Sequence, residues 1–399
     1  QYPSIIKSYN ISHDTKIDLS GNKSPNKNYI NTPVVQDTGC VFIKERIGII
    51  PEILDELHKA RMIHEDLRSK QEYGSDKFWF HYWKMMILSF YGELGNNKGR
   101  FYDLQLAKSV TLSGRFYSKL AQKMLRRLNY ECYYGDTDSI FVGIKLEEIQ
   151  NTLKYIHKRF DRVASRMNAF EGKIRLGFDN YYKKILFVTK KRYVGNMNMF
   201  KKEVVKDKIY ARGVEIRRGD YPDISKEVQT RIIEMLLIED TSMKSILRYL
   251  LKIRRRLLKG KMKKDKLVIY QSCSKEPREY IREVIDKKTG KPKIKKNGEM
   301  QYTSQPVQVK VAAKMIRDKK EFYVGMQIPY IVITDKPKLE AVHEDDFDGS
   351  YDAKYYWNKK IFAPVERLLN VAYSEFKWGR LKKWRIKLNV LNVMIENIY

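Results

Sequence analysis

The segment Tyr134-Gly135-Asp136-Thr137-Asp138-Ser139, set between residues 128–133 and the apolar run 140–144, leaves little choice of local structure. Gly, Asp and Thr there favour a turn, and the flanks predict two antiparallel strands closing a β-hairpin. Side chains two residues apart share a side of a strand, so Asp136 and Asp138 can both face one way and share divalent ions. Carboxylate oxygens suit Mg2+. Two such ions meet the needs of phosphoryl transfer, one lowering the pKa of an attacking hydroxyl and the other neutralising a leaving pyrophosphate. The four residues Asp-Thr-Asp-Ser also make an ordinary acidic turn, so the rest of the chain has to decide between the two.

Lys and Arg number 79 against 48 Asp and Glu, a net charge of +31, and the excess runs along the whole chain. That is more than solubility requires and points to a polyanionic partner. A membrane surface is the competing partner. No apolar run approaches the roughly 18 residues of a spanning helix, and no signal-peptide pattern opens the chain. The expectation is a soluble protein of the cytoplasm, nucleus or a viral replication site, not a secreted one. Cys40, Cys132 and Cys273 are too far apart to suggest a disulfide framework or a zinc site. The length of 399 residues allows two or three subdomains, and the composition is that of a folded protein.

Residues 1–40 read as a short extended piece followed by a polar loop over 21–31. Pro51 with Ile53, Leu54 and Leu57 predicts a helix to about residue 68, and the polar stretch 69–74 ends it. A second helix is expected from Ser75 or Asp76 to about Tyr91, with Gly92 as its stop. On it Lys84, Leu88 and Tyr91 share a face, while Phe78, Trp79, Tyr82 and Trp83 are expected to pack into a core on the other. A long helix over 101–129 carries Lys108, Arg115, Lys119, Lys123, Arg126 and Arg127, read mainly as a solvated face. Further helices are expected over 146–169, 222–238, with Asp220-Tyr221-Pro222 as its cap, and 243–258, and a strand over 185–189. Basic clusters lie at 254–266 and 287–296. The second, with turns at Thr289-Gly290 and Asn297-Gly298, reads either as an added β-hairpin or as a disordered basic loop.

With these residues in hand the chain resembles the family B DNA polymerases of archaeal and viral type. Tyr134–Ser139 resembles the third polymerase motif, Tyr2-Pro3-Ser4-Ile5-Ile6 with Asn10-Ile11-Ser12 the end of the first, and residues 84–92 (KMMILSFYG) the second. Lys190-Lys191-Arg192-Tyr193 resembles the element that holds primer-template. Ala211-Arg212-Gly213-Val214-Glu215 resembles the start of the thumb, and residues 351–369 its closing helix. The resemblance implies an α+β fold of right-hand architecture: palm with an antiparallel sheet (1–45 and 101–215), two-helix fingers (46–100) and thumb (216–399), without N-terminal and exonuclease domains.

The implied activity is DNA-directed DNA synthesis with two Mg2+ ions, primer-template DNA and deoxynucleoside triphosphates. By resemblance Asp136 and Asp138 hold metal, and Lys84 meets the triphosphate and can donate a proton to pyrophosphate. Arg61 also holds the triphosphate, Tyr91 supports the nascent base pair, and Tyr2 gates the sugar. Gln1 aligns with a residue whose backbone carbonyl helps hold metal, and Lys190, Lys191, Arg192 and Tyr193 secure DNA. Two residues depart from the family pattern: Glu65 stands where a basic residue is usual, and Leu88 where Asn is usual. The first motif's Asp would fall four residues before Gln1, so an upstream polypeptide, as in a split or truncated polymerase, is the expected partner. The final residues 380–399 do not resemble a clamp-binding tail. A non-catalytic DNA-binding subunit is the alternative function, and a reverse transcriptase a weaker one, since its palm turn usually has adjacent aspartates.

Overall fold

Pro3 fixes a helical φ in a first turn, and Ile5, Ile6 and Tyr9 then fall on one buried face, so the chain begins with a helix, α1 (Tyr2–Tyr9), rather than the extended piece the sequence predicts. Asn10, with φ 54°, ends it in the left-handed region. The computed structural model describes residues 1–19, 28–68, 75–200, 203–286, 290–294 and 299–373, with the side chains of 65–68 and 75–77 excepted. Most of the polar loop, the break at 69–74, much of the second basic cluster with Thr289 and Asn297-Gly298, the tail 380–399, and the side chains of Glu65 and Arg68 lie outside the described residues.

The chain divides into two compact units, Gln1–Asp179 and Asn180–Tyr399. In the first, β1 (Lys16–Asp18), β2 (Tyr29–Ile30), the short α2 (Val35–Thr38) and β3 (Cys40–Ile43) follow α1, and the strands form an antiparallel sheet ordered β1-β3-β2. Two long helices, α3 (Ile49–Arg68) and α4 (Ser75–Gly95), pack against each other. Gly92 lies inside α4, where an added Cβ would meet no neighbour, and the helix runs on to Gly95.

The buried ridge of α4 is Phe80, Ile87 and Leu94, seven residues apart. That choice leaves Phe78, Trp79 and Tyr82 exposed, contrary to the core packing expected of them, and only Trp83 is half-buried. The rings satisfy one another instead, Trp79 stacking on Trp83 at 6.0 Å and meeting Tyr82 edge-on at 5.4 Å. Ile53 of α3 is likewise exposed, whereas Leu54 is buried.

Helix α5 (Leu104–Arg127) starts at Asp103, whose carboxylate accepts from the amides of Gln105 and Leu106. All six cations predicted for its solvated face are exposed. It leads into β4 (Cys132–Asp136) and β5 (Ser139–Val142), and then α6 (Ile149–Arg166). One core joins α1, α3, α4, α5 and α6. At its centre the Tyr9 and Tyr117 hydroxyls are 2.7 Å apart, and burial, with the neighbouring phenol next, pushes the Tyr9 phenol upward.

The second unit opens on a meander, β6 (Asn180–Thr189), β7 (Arg192–Phe200) and β8 (Glu203–Arg212), ordered β6-β7-β8. Helices α7 (Asp223–Leu237) and α8 (Met243–Leu258) follow. Asp220 does not cap α7; its carboxylate takes a two-pronged contact from Arg218 at 2.8 and 2.7 Å. Next come β9 (Ile269–Ser272), α9 (Val307–Arg317), β10 (Gln327–Thr334) and β11 (Glu340–His343), with sheet order β11-β10-β9. Between β9 and α9, isolated antiparallel bridges join Glu283 to Tyr302 and Ile285 to Pro292. The predicted closing helix is three pieces, α10 (Ala353–Tyr355), a π-helical stretch Tyr356–Phe362 and α11 (Ala363–Ala372). The unit's largest core joins α7, α8, α9, the last sheet and these closing helices. All three cysteines are free, Cys40 and Cys273 buried. No helix among the described residues is long and apolar enough to cross a membrane.

Candidate active site

Asp136 pairs with Ser139, which leaves Thr137 and Asp138 as a two-residue hairpin tip. The Asp138 amide donates to the Asp136 carbonyl at 2.6 Å across Thr137, whose φ is 50°. A β-branched residue in the left-handed region is strained, so the tip persists only because other groups hold it. The Ser139 hydroxyl donates to the Asp136 carbonyl at 3.1 Å, and Ser118 of α5 donates to the Thr137 carbonyl at 3.1 Å. Ser118 in turn accepts from the Gln1 side-chain amide, which also reaches the Gly114 carbonyl. A Cβ on Gly114 would come within 3.2 to 3.3 Å of Gln1 and Ile5, so glycine there lets α1 lie close on α5. One turn beyond Ser118, Gln122 places its amide 3.0 Å from where a Gly135 Cβ would stand.

Ser118 and Gln122 thus buttress the hairpin, a role that sequence reasoning misses. Their only trace in the sequence is a polar pair four residues apart, on a helix that also carries Gln105, Ser109, Thr111 and Ser113 and so does not single them out. Asp136 is half-buried and Asp138 exposed. The Tyr2 and Tyr91 rings meet at a centroid distance of 4.4 Å. Burial, then the Tyr91 phenol and the Asp138 carboxylate, raise the Tyr2 phenol. Gln1, Tyr2, Tyr91 and Asp138 are therefore gathered at one place.

Arg61 sits on α3 with its guanidinium 4.5 Å above the Phe80 ring of α4, and its Nε is buried with no hydrogen-bond partner among the described residues. Lys84 lies one turn beyond Phe80, exposed, and Leu88 follows on the same side with 46% of its surface open. The two hairpin carboxylates are hard oxygen donors of the kind Mg2+ takes alongside substrate phosphates. Among the described residues no three or more His, Cys, Asp and Glu side chains gather to hold a metal ion, so the hairpin offers these two carboxylates alone.

In the second unit, Thr189 pairs with Arg192, so Lys190 and Lys191 form the β6–β7 turn, Lys191 at φ 64°. Both lysines are exposed, and the next two residues point inward. Arg192 donates to the Gly213 carbonyl and to the carboxylate of Glu215, which Arg367 of α11 also grips at 2.6 Å. Tyr193, 5% exposed, stacks on Tyr210.

Burial alone would raise the Glu215 carboxyl, but the Gln229 amide, Arg192 and Arg367 outweigh it and hold it below the usual range. A depressed carboxyl stabilises fully above its unfolded pKa, about 4.3, and the stabilisation is lost as pH falls through the lower folded value. Arg192→Ala is expected to cost about 2–3 kcal/mol, because it leaves a buried carboxylate one partner short. In thermal melts from about pH 7 to about pH 3, the gap in Tm between parent and Glu215→Gln should narrow. A gap constant across that range would remove Glu215 from the pH dependence.

Residues 1–288 match the sequence profile of DNA polymerase family B. The chain belongs to that family. This family B chain is 29% identical to the DNA polymerase of Thermococcus gorgonarius, and 30% identical to DNA polymerase 1 of Pyrococcus abyssi (strain GE5 / Orsay). Each alignment covers 92% of the chain and 44% of the relative. It thus spans less than half the length of these curated relatives. A solved family B DNA polymerase structure from Pyrobaculum calidifontis aligns with a TM-score of 0.61 at 24% identity, over 93% of this chain and 44% of that one. The mixed helix and sheet content agrees with the expected α+β class.

Proposed function

We propose that the chain is the polymerising portion of a template-directed DNA polymerase, which adds deoxynucleotides to a primer 3′ end. The observation that carries this reading is the strained hairpin, whose tip presents Asp138 beside the tilted Tyr2–Tyr91 ring pair, with Asp136 at the end of the strand that leads into it. Under it, residues 1–45 and 101–215 are palm, 46–100 fingers and 216–399 thumb. Asp136 and Asp138 would hold Mg2+, two ions in the full site, which when bound supplies positive charge at the attacking hydroxyl and the leaving pyrophosphate.

The remaining work falls to side chains. Lys84, exposed on α4, offers charge to the triphosphate and a proton to the departing pyrophosphate. Arg61 has a guanidinium fork suited to phosphate oxygens, already oriented by the Phe80 ring. Tyr91 holds the Tyr2 ring in place, and Tyr2 blocks the space a ribose 2′-hydroxyl would need. Gln1 fixes the hairpin tip through Ser118. Lys190 and Lys191 reach backbone phosphate, while Arg192 and Tyr193 keep their turn rigid.

Tyr2→Ala is expected to raise ribonucleotide incorporation relative to deoxynucleotide by about 10- to 100-fold, the value of one steric clash. Single-nucleotide incorporation kinetics with paired ribo- and deoxynucleotides measure it, and an unchanged ratio would contradict the gate. The overall reading is tested by primer extension with Mg2+ and four deoxynucleotides. The 399-residue chain is assayed as such and with an aspartate-bearing first-motif strand from an archaeal relative fused ahead of Gln1. Template-dictated extension by the fused protein is expected. DNA binding without extension in both would instead favour the non-catalytic DNA-binding subunit.

A further inference from the structure

Helix α6 carries a row of cations that the polymerase chemistry does not use. Lys154, Lys158, Arg162 and Arg166 recur every four residues, and all four are exposed. At about 1.5 Å per residue the row runs about 18 Å. The opposite face of the helix, with Ile156, Phe160 and Val163, is buried, Phe160 against Tyr117 of α5 at 4.8 Å. Like charges four apart on a helix repel, and none of these four pairs with a carboxylate among the described residues. The nearest acid on the helix, Asp161, is committed to Arg175 through two contacts of 2.8 Å and accepts the Gly172 amide at 3.0 Å.

These bonds do more than neutralise Asp161. Together with the Leu176 amide, 3.1 Å from His157 Nε2, they fix residues 172–176 beside α6. Between the two segments lies a shallow, open hollow of about 650 Å3 lined by all four cations, with Glu171 as its one carboxylate outside the Arg175 pair. Tyr155, 45% exposed, lies on the same helix within the row. A series of unpaired cations winding along an open hollow, with an exposed aromatic ring next to the first of them, fits a strand of successive phosphates with unstacked bases better than a single small anion or a stacked duplex.

We propose that this α6 hollow binds single-stranded nucleic acid through its backbone phosphates, with Tyr155 as a stacking surface. It is a further contact with nucleic acid, made by residues other than those of the hairpin and of the Lys190–Lys191 turn. The test measures anisotropy of a labelled oligothymidylate with the full chain over a range of salt. Changing all four cations to Gln should weaken binding at least about tenfold and flatten the log–log salt slope by about 0.7 for each phosphate no longer neutralised. Tyr155→Ala should weaken it about five- to hundredfold with the slope kept. Changing Lys190 and Lys191 to Gln serves as the comparison, with a smaller effect on the single strand.

Circular dichroism and Tm confirm that the exposed substitutions leave the fold intact, and Lys158→Gln with Arg162→Gln alone provides a milder variant. Unchanged affinity and slope in both cation variants would overturn the proposal. So would equal weakening of binding to a duplex of the same length, or displacement of the oligonucleotide by inorganic triphosphate at comparable phosphate concentration. Primer extension is not the readout, so failure of the polymerase reading would leave this result standing.

Discussion

Asp138→Ala is expected to abolish primer extension and Asp136→Ala to lower it by at least about 1,000-fold, both with duplex affinity retained. The reason lies in where the charge is needed. Asp138 is exposed on the hairpin tip and Asp136 is half-buried among polar groups beside it, so removing either costs little folding energy. Metal charge stabilises the transition state rather than the bound duplex, so kcat falls while the DNA Kd holds. The comparison is made in the fused protein, by single-turnover extension and by anisotropy with duplex DNA. Asp136→Asn separates charge from shape, since the amide keeps an acceptor for Thr137 but loses the anion. Near-normal turnover in either alanine variant would remove that carboxylate from the chemistry.

Lys84→Ala is expected to lower kcat by about 100- to 1,000-fold, with a smaller rise in the nucleotide KM. Lys84 is exposed and makes no ion pair among the described residues, so a fold-level explanation of such a fall is weak. If its ammonium supplies the proton to pyrophosphate, Lys84→Arg should recover binding but little of the rate, because a guanidinium does not give up its proton near neutral pH. Recovery of full rate by the arginine variant would reduce Lys84 to a charge that only binds phosphate.

Much of the site was legible because its residues are consecutive. Asp136 at the end of β4 with Asp138 in the turn after it, and Lys190 and Lys191 in the turn after β6, follow from turn chemistry. What the sequence concealed depends on contacts between distant segments. Whether Tyr2 stands on a helix or an extended piece turns on Ile5, Ile6 and Tyr9 finding α5, with Tyr117 lying 108 residues beyond Tyr9. Arg192 reads as one more cation in a basic run, and only the burial of Glu215 between Arg192 and Arg367 makes it a clamp.

The aromatic stripe of α4 illustrates the opposite error. Phe78, Trp79 and Tyr82 have the composition of a core, but the ridge through Phe80, Ile87 and Leu94 is the one covered, Phe80 beneath Arg61 of α3 and the other two in the core shared with α1, α3 and α5, which leaves the three rings open. Hydrophobicity marked the helix, and the partner's position chose its face. The buttress of Ser118 and Gln122 was hidden for a related reason, since a polar pair on a helix has no signature until the strand it supports is beside it.

The most direct measurement is anomalous diffraction from crystals of the fused protein with primer-template, a non-hydrolysable deoxynucleotide and Mn2+ in place of Mg2+. The expected result is manganese density bound by Asp136 and Asp138, with the triphosphate between it and the side chains of Lys84 and Arg61. A nucleotide and metal held elsewhere, with the hairpin carboxylates free of both, would contradict the polymerase reading.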